Sequence, residues 1–122
     1  MRIARRTLIA IAAAVLSLPG PASANTVSLA DQQVVMEHFR PMFVYPQFSR
    51  WRFDSAAPYW LGGTLVCGHV NFENSNRTFE GERAFYMVIR DGSYLEGGIV
   101  GNMVEDPAGT IRFAYHLLCE KH

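Results

Sequence analysis

The sequence predicts an α+β domain: a small antiparallel sheet flanked by an N-terminal and a C-terminal helix, joined by one disulfide. Three observations predict it. Strand-forming residues dominate Thr64 to Phe72 and again Arg83 to Glu96, the second run broken by Asp91-Gly92. Ile111, Ala114, Tyr115, Leu118 and Cys119 fall at i, i+3, i+4, i+7 and i+8, the apolar face of a helix packed on a sheet. Finally, the 2 cysteines of the chain lie one in each kind of element.

The first 24 residues stand apart from this domain. Arg2, Arg5 and Arg6 lead into an apolar run from Leu8 to Leu18, Pro19 and Gly20 break it, and Ala22-Ser23-Ala24 supplies small residues for cleavage. That is the layout of a secretory signal peptide. The run is too short for a membrane-spanning helix, which needs about 20 residues, and no cysteine follows the cleavage position to carry a lipid. Arg5-Arg6 is shared with twin-arginine signals, but Ala4 stands where those prefer a polar residue, so the general secretory route is expected. Residues 1–24 thus read as a signal peptide and 25–122 as a single globular domain, periplasmic or secreted, with no stable membrane insertion after cleavage.

Composition narrows the partners. Across 122 residues, 11 Lys and Arg balance 11 Asp and Glu; without the three leader arginines, 8 basic residues face 11 acidic ones, a formal charge of −3. Nothing there neutralises a phosphate backbone, so nucleic acid is not an expected partner. A domain this small buries only about 60 to 65% of its unfolded-chain surface. A covalent staple is therefore valuable, an oxidising compartment permits one, and Cys67 and Cys119 are the only candidates.

Taken in chain order, Ser28 followed by Asp31 marks a helix start, with Val35, Met36 and Phe39 as its apolar stripe and Pro41 as its end, giving a helix near 28–39. From Met42 to Trp60 the chain is dense in aromatics, holds Pro46 and Pro58, and reads as irregular structure wrapping the core. A strand follows over 64–72. Asp91-Gly92 predicts a tight hairpin, because both central positions of the favoured turn need positive φ, and Gly97-Gly98 predicts a bulge in the second strand. The period changes after Asp106-Pro107 to that of the C-terminal helix. Alternation puts Leu65, Cys67, His69 and Asn71 on one sheet face and Val66, Val70 and Phe72 on the other. If Cys67 reaches Cys119, then His69 and Asn71 lie under or beside the C-terminal helix and each needs a hydrogen-bond partner.

The stretch Cys67-Gly68-His69-Val70-Asn71-Phe72-Glu73-Asn74-Ser75 resembles the C-G-x-V-N-x-x-N-S segment of a group of small secreted uncharacterised bacterial proteins with a C-terminal cysteine. Phe79 and Gly81 stand at that segment's aromatic and final glycine, and Asp54-Ser55-Ala56 resembles the stretch preceding it. Arg77-Thr78 replaces paired glycines, and Phe53 a proline. The resemblance covers roughly 54–90 plus Cys119; it implies export and a disulfide domain, and no reaction.

Candidate chemistry is sparse. Cys67-x-His69 and His116-x-x-Cys119 could converge on zinc or copper, but Cys67-Gly68-His69 lacks the usual two-residue spacer and the compartment favours oxidation. A disulfide with two unrelated histidines is expected, and no metal or other cofactor. A cysteine nucleophile fails because the disulfide consumes its thiolate. Glu73, Glu80, Glu82 and Glu96 show no spacing that selects a glycosidase pair, and no nucleophile elbow, phosphate loop or H-E-x-x-H motif is present. An enzyme is unsupported. The sequence instead favours an exported, non-catalytic domain that binds a protein partner or a cell-envelope component, presenting the 74–81 loop through Asn74, Asn76, Arg77 and Phe79, with Asn71 as a structural polar residue. The alternative is a periplasmic metal-binding protein or small envelope enzyme built on His69 and His116.

Overall fold

The computed structural model describes residues 26–101 and 109–120, so the expected signal peptide 1–24 and Asp106-Pro107 lie outside the described residues. In chain order come α1 (Leu29–Phe39), two 3₁₀ turns (Arg40–Met42 and Pro46–Phe48), β1 (Arg50–Pro58), β2 (Thr64–Asn71), β3 (Arg83–Arg90), β4 (Ser93–Ile99) and α2 (Thr110–Cys119). The four strands form an antiparallel meander in the order β1-β2-β3-β4, with a helix packed on each face. The predicted fold class is thus the observed one, and Cys67 and Cys119 are bonded, their Cα atoms 5.9 Å apart.

The N-terminal helix starts as its sequence signal requires: the Ser28 hydroxyl accepts from the Asp31 backbone N–H at 3.1 Å. It buries Val35 and Phe39 against Val66, Val70, Phe85, Met87, Ile89 and Ile99 of the sheet. Phe85 is fully buried and is ringed edge-on by Phe39, Trp51 and Phe53 at centroid distances of 5.9, 5.6 and 5.9 Å. Gly68, its cross-strand partner, leaves the room for that ring: a Cβ there would stand 2.7 Å from two Phe85 ring atoms and 2.4 Å from the Arg52 carbonyl oxygen.

The opposite face is thinner. Leu65, Cys67, Tyr86 and Val88 are buried there, covered by Ile111, Ala114, Tyr115, Leu118 and Cys119, the five helix positions that the spacing selects. The alternation of β2 holds, with Leu65 and Cys67 toward α2 and Val66 and Val70 toward α1. Asp91 and Gly92 have φ of 52° and 74°, the paired left-handed residues of the predicted hairpin turn.

Two readings are corrected. The segment from Met42 to Trp60 is not irregular throughout, because Arg50–Pro58 is an edge strand that turns Trp51 and Phe53 inward and Arg50, Arg52 and Asp54 outward. Its period of two is short, and the aromatics before and after mask it. The bulge in β4 falls at Leu95, between the pairs Val88↔Glu96 and Ile89↔Tyr94, rather than at Gly97-Gly98. Gly98 instead seats α2: a Cβ there would lie 2.3 Å from Ile111 Cδ1.

Candidate functional site

α2 covers only part of its sheet face, the part around Cys67, Tyr86 and Gly98. Beside it the sheet is floored by small or aliphatic residues, Ala84 and Val100, and a cleft of about 630 Å³ opens between helix and sheet. That is within the roughly 300 to 1,000 Å³ of small-ligand sites. From β2 comes His69; from the residue before β3 comes Glu82. From α2 come Arg112, Phe113, Tyr115 and His116, and from its C-cap Glu120. Arg112, His116 and Glu120 repeat every four residues, a polar stripe along the flank of the helix next to its apolar face.

His69 is held from β1. Between Phe53↔Gly68 and Ser55↔Cys67 the register shifts by one residue, and the extra residue is Asp54. Asp54 shares the face of Arg52, opposite that of Trp51 and Phe53, and the bulge lies beside His69. Asp54 Oδ2 lies 2.7 Å from His69 Nδ1. Arg52, directly opposite His69 in the register, bonds Asp54 Oδ1 at 2.8 Å and Glu82 Oε1 at 2.9 Å, and its Nη2 lies 2.8 Å from the same Nδ1. A ring nitrogen serves one of these two neighbours at a time. Arg52 uses Nε for Asp54 and Nη1 for Glu82, so Nη2 and Asp54 Oδ2 both face the imidazole; we assign the Nδ1 proton to the bond with Asp54, because a carboxylate oxygen and a bare ring nitrogen 2.7 Å apart would repel. The Arg52 guanidinium is held further above its ordinary range, first by the hydrogen bond to Asp54 and then by its charge.

The second histidine repeats the arrangement. His116 Nδ1 lies 2.8 Å from Glu120 Oε1, one helical turn on. A proton on Nδ1 is again required, since two bare acceptors would repel at that distance. Each ring therefore commits Nδ1 to a carboxylate and leaves Nε2 as the nitrogen available to the cleft that both rings line. Tyr115 sits among them, its ring edge-on to His69 at 6.1 Å. Burial, then the charges of Asp54 and Glu120, push its phenol above the usual tyrosine range. The hydroxyl therefore stays protonated at neutral pH. Because the folded-state value is raised, the folded molecule retains this proton where the unfolded chain loses it, and the associated stability fades as alkaline pH rises through the folded-state value. A phenolate absorbance titration should show one tyrosine ionising late and lost in Tyr115→Phe, with Asp54→Asn shifting it down; an unshifted midpoint in Asp54→Asn would remove the electrostatic link.

The predicted loop residues are largely occupied in building their own loop. Asn74 Oδ1 accepts from the backbone of Asn76 at 2.9 Å and Thr78 at 3.1 Å, and its Nδ2 donates to Glu80. Asn71 Oδ1 accepts from Gly81 N at 3.3 Å, the hydrogen-bond partner that its place on the strand calls for. Arg77 has φ of 64°, the left-handed region that glycine favours. Its guanidinium pairs with the buried Glu73 and lies over the rings of Tyr45 and Phe48 at 4.6 and 4.8 Å. Phe79 is half-buried beneath the Arg50 guanidinium, 4.0 Å from its ring centre. Asn76 is exposed.

Both histidines thus line the cleft, whereas the two sulfurs are closed in the disulfide, and among the described residues no three His, Cys, Asp or Glu side chains gather to hold a metal ion. Sequence reasoning missed Arg52, Asp54, Glu82 and Tyr115 as neighbours of His69. The row Arg52–His69–Ala84 is visible only once β1 is a strand; the flank stripe Arg112-His116-Glu120 was the available signal. No helix among the described residues is long and apolar enough to cross a membrane. The chain matches no family model, no curated protein and no solved structure.

Proposed function

We propose that the protein is an exported, non-catalytic binding domain of the periplasm or exterior, and that it takes an envelope component in the cleft between α2 and the sheet. One observation carries this reading: two imidazoles from different elements line the same cleft, each oriented through Nδ1 by its own carboxylate. Fixing a ring in this way costs conformational freedom once, during folding, and leaves a directed nitrogen for a ligand. The 74–81 loop is the weaker candidate. Its Asn74, Arg77 and Phe79 are engaged by Glu80, Glu73 and Arg50, so a partner there would have to displace existing contacts. The leader and the disulfide support the exported location.

Two measurements test it. Cell fractionation with mass determination should recover from the periplasm or medium a chain lacking residues 1–24; a full-length cytoplasmic product would defeat the location. Labelled protein should then be titrated with soluble envelope extract and followed by NMR. Shifts are expected at His69, Tyr115 and His116, and they should persist in the Arg77→Ala plus Phe79→Ala variant. Shifts confined to 74–81, and abolished by that variant, would return the site to the loop.

A further inference from the structure

Resting on the binding reading above, we infer that the cleft accepts a neutral saccharide. Four rings line it: Phe113, Tyr115, His69 and His116. Phe113, which lines the cleft, is 64% exposed and leaves a large apolar face open where a pyranose could lay its C–H face. The polar groups are mostly acceptors. In the tautomer that puts the proton on Nδ1, an imidazole offers a bare Nε2, and Glu82 and Glu120 add carboxylate oxygens. Such a lining meets a ligand rich in hydroxyl donors.

Charge selects against the alternatives. Arg112 shares the cleft with Glu82 and Glu120, Glu82 is bonded to Arg52, and Glu120 to His116. The signs are interspersed and locally paired, so neither a phosphorylated anion nor a polyamine finds a field of opposite sign. Metal coordination lacks a third protein ligand among the described residues. A polyhydroxylated ring needs no net charge, only planar polar side chains at its edge and an aromatic face beneath.

The test titrates labelled, disulfide-bonded protein at neutral pH with chitotriose, maltotriose and mannotriose, and in parallel with citrate, spermidine and zinc chloride. At least one trisaccharide should shift His69, Tyr115 and His116 resonances saturably. Phe113→Ala, whose side chain is mostly in water, should keep the fold by circular dichroism and weaken that binding by at least about tenfold. No cleft shift with any of the three sugars overturns the inference, as does a stronger response to citrate, spermidine or zinc. In the latter case the cleft remains a binding site and only the ligand class falls. Sugar shifts that map to 74–81 overturn the inference and the cleft reading together.

Discussion

Replacing Cys67 and Cys119 together by serine is expected to lower stability by about 4 kcal/mol, the chain-entropy estimate for a loop of this length. The two positions are 52 residues apart and join the middle of β2 to the last residue of α2. For a domain of this size that corresponds to a fall in melting temperature of roughly 15 °C or more. The loss should fall unevenly. α1 buries Val35 and Phe39 completely, whereas α2 has no fully buried residue and meets the sheet through half-buried Ile111, Ala114, Tyr115 and Leu118. Without the bridge, α2 should detach first and take the cleft with it, while β2 and β3 keep their packing on α1. Thermal denaturation combined with hydrogen exchange checks both parts. Early exchange confined to 110–119 is the expected pattern. Uniform loss of protection across both helices would show that the two faces of the sheet unfold as one unit.

The same contrast between the faces explains what could be read from the chain. α2 was legible in register because its five inward residues follow one period without interruption, and the β3–β4 turn because Asp91-Gly92 has few other conformations to choose. β1 was not legible. Its inward Trp51 and Phe53 sit in a run of aromatics from Phe43 to Trp60, of which Trp60 ends 79% exposed and Phe43 buried, so residue type alone did not separate inside from outside. Missing that strand hid the site. Asp54 reaches His69 because it shares a face of β1 with Arg52, and Arg52 because it pairs opposite His69. Both are tertiary consequences of register, which no local pattern around His69 encodes. The loop failed in the other direction: its polar residues were visible, but Arg77 pairs with Glu73 four positions earlier and covers Tyr45 and Phe48, uses that look identical in sequence to an open contact surface.

Phe85→Ala should be among the most damaging single substitutions, at about 3 to 5 kcal/mol. Against a total of about 5 to 15 kcal/mol for a native domain this approaches the whole stability. The physical reason is position: Phe85 lies on a central strand, is fully buried, and is in edge contact with Phe39 of α1 and with Trp51 and Phe53 of β1. Its removal therefore opens a cavity where three elements meet, and none of them can close it without moving the other two. A milder variant, Phe85→Leu, keeps the experiment within a foldable range and allows a cycle with Gly68→Ala. Alone, Gly68→Ala forces a methyl group to 2.7 Å from the Phe85 ring and 2.4 Å from the Arg52 carbonyl, an overpacking cost of about 1 to 3 kcal/mol. In the Phe85→Leu background the ring contact is gone and only the backbone contact remains. The double variant should consequently be more stable than the sum of the single effects predicts, by more than the roughly 0.5 kcal/mol within which independent sites add. Strict additivity in denaturant unfolding would mean that the Arg52 carbonyl alone limits residue 68, and that β1, not the ring of Phe85, dictates glycine there.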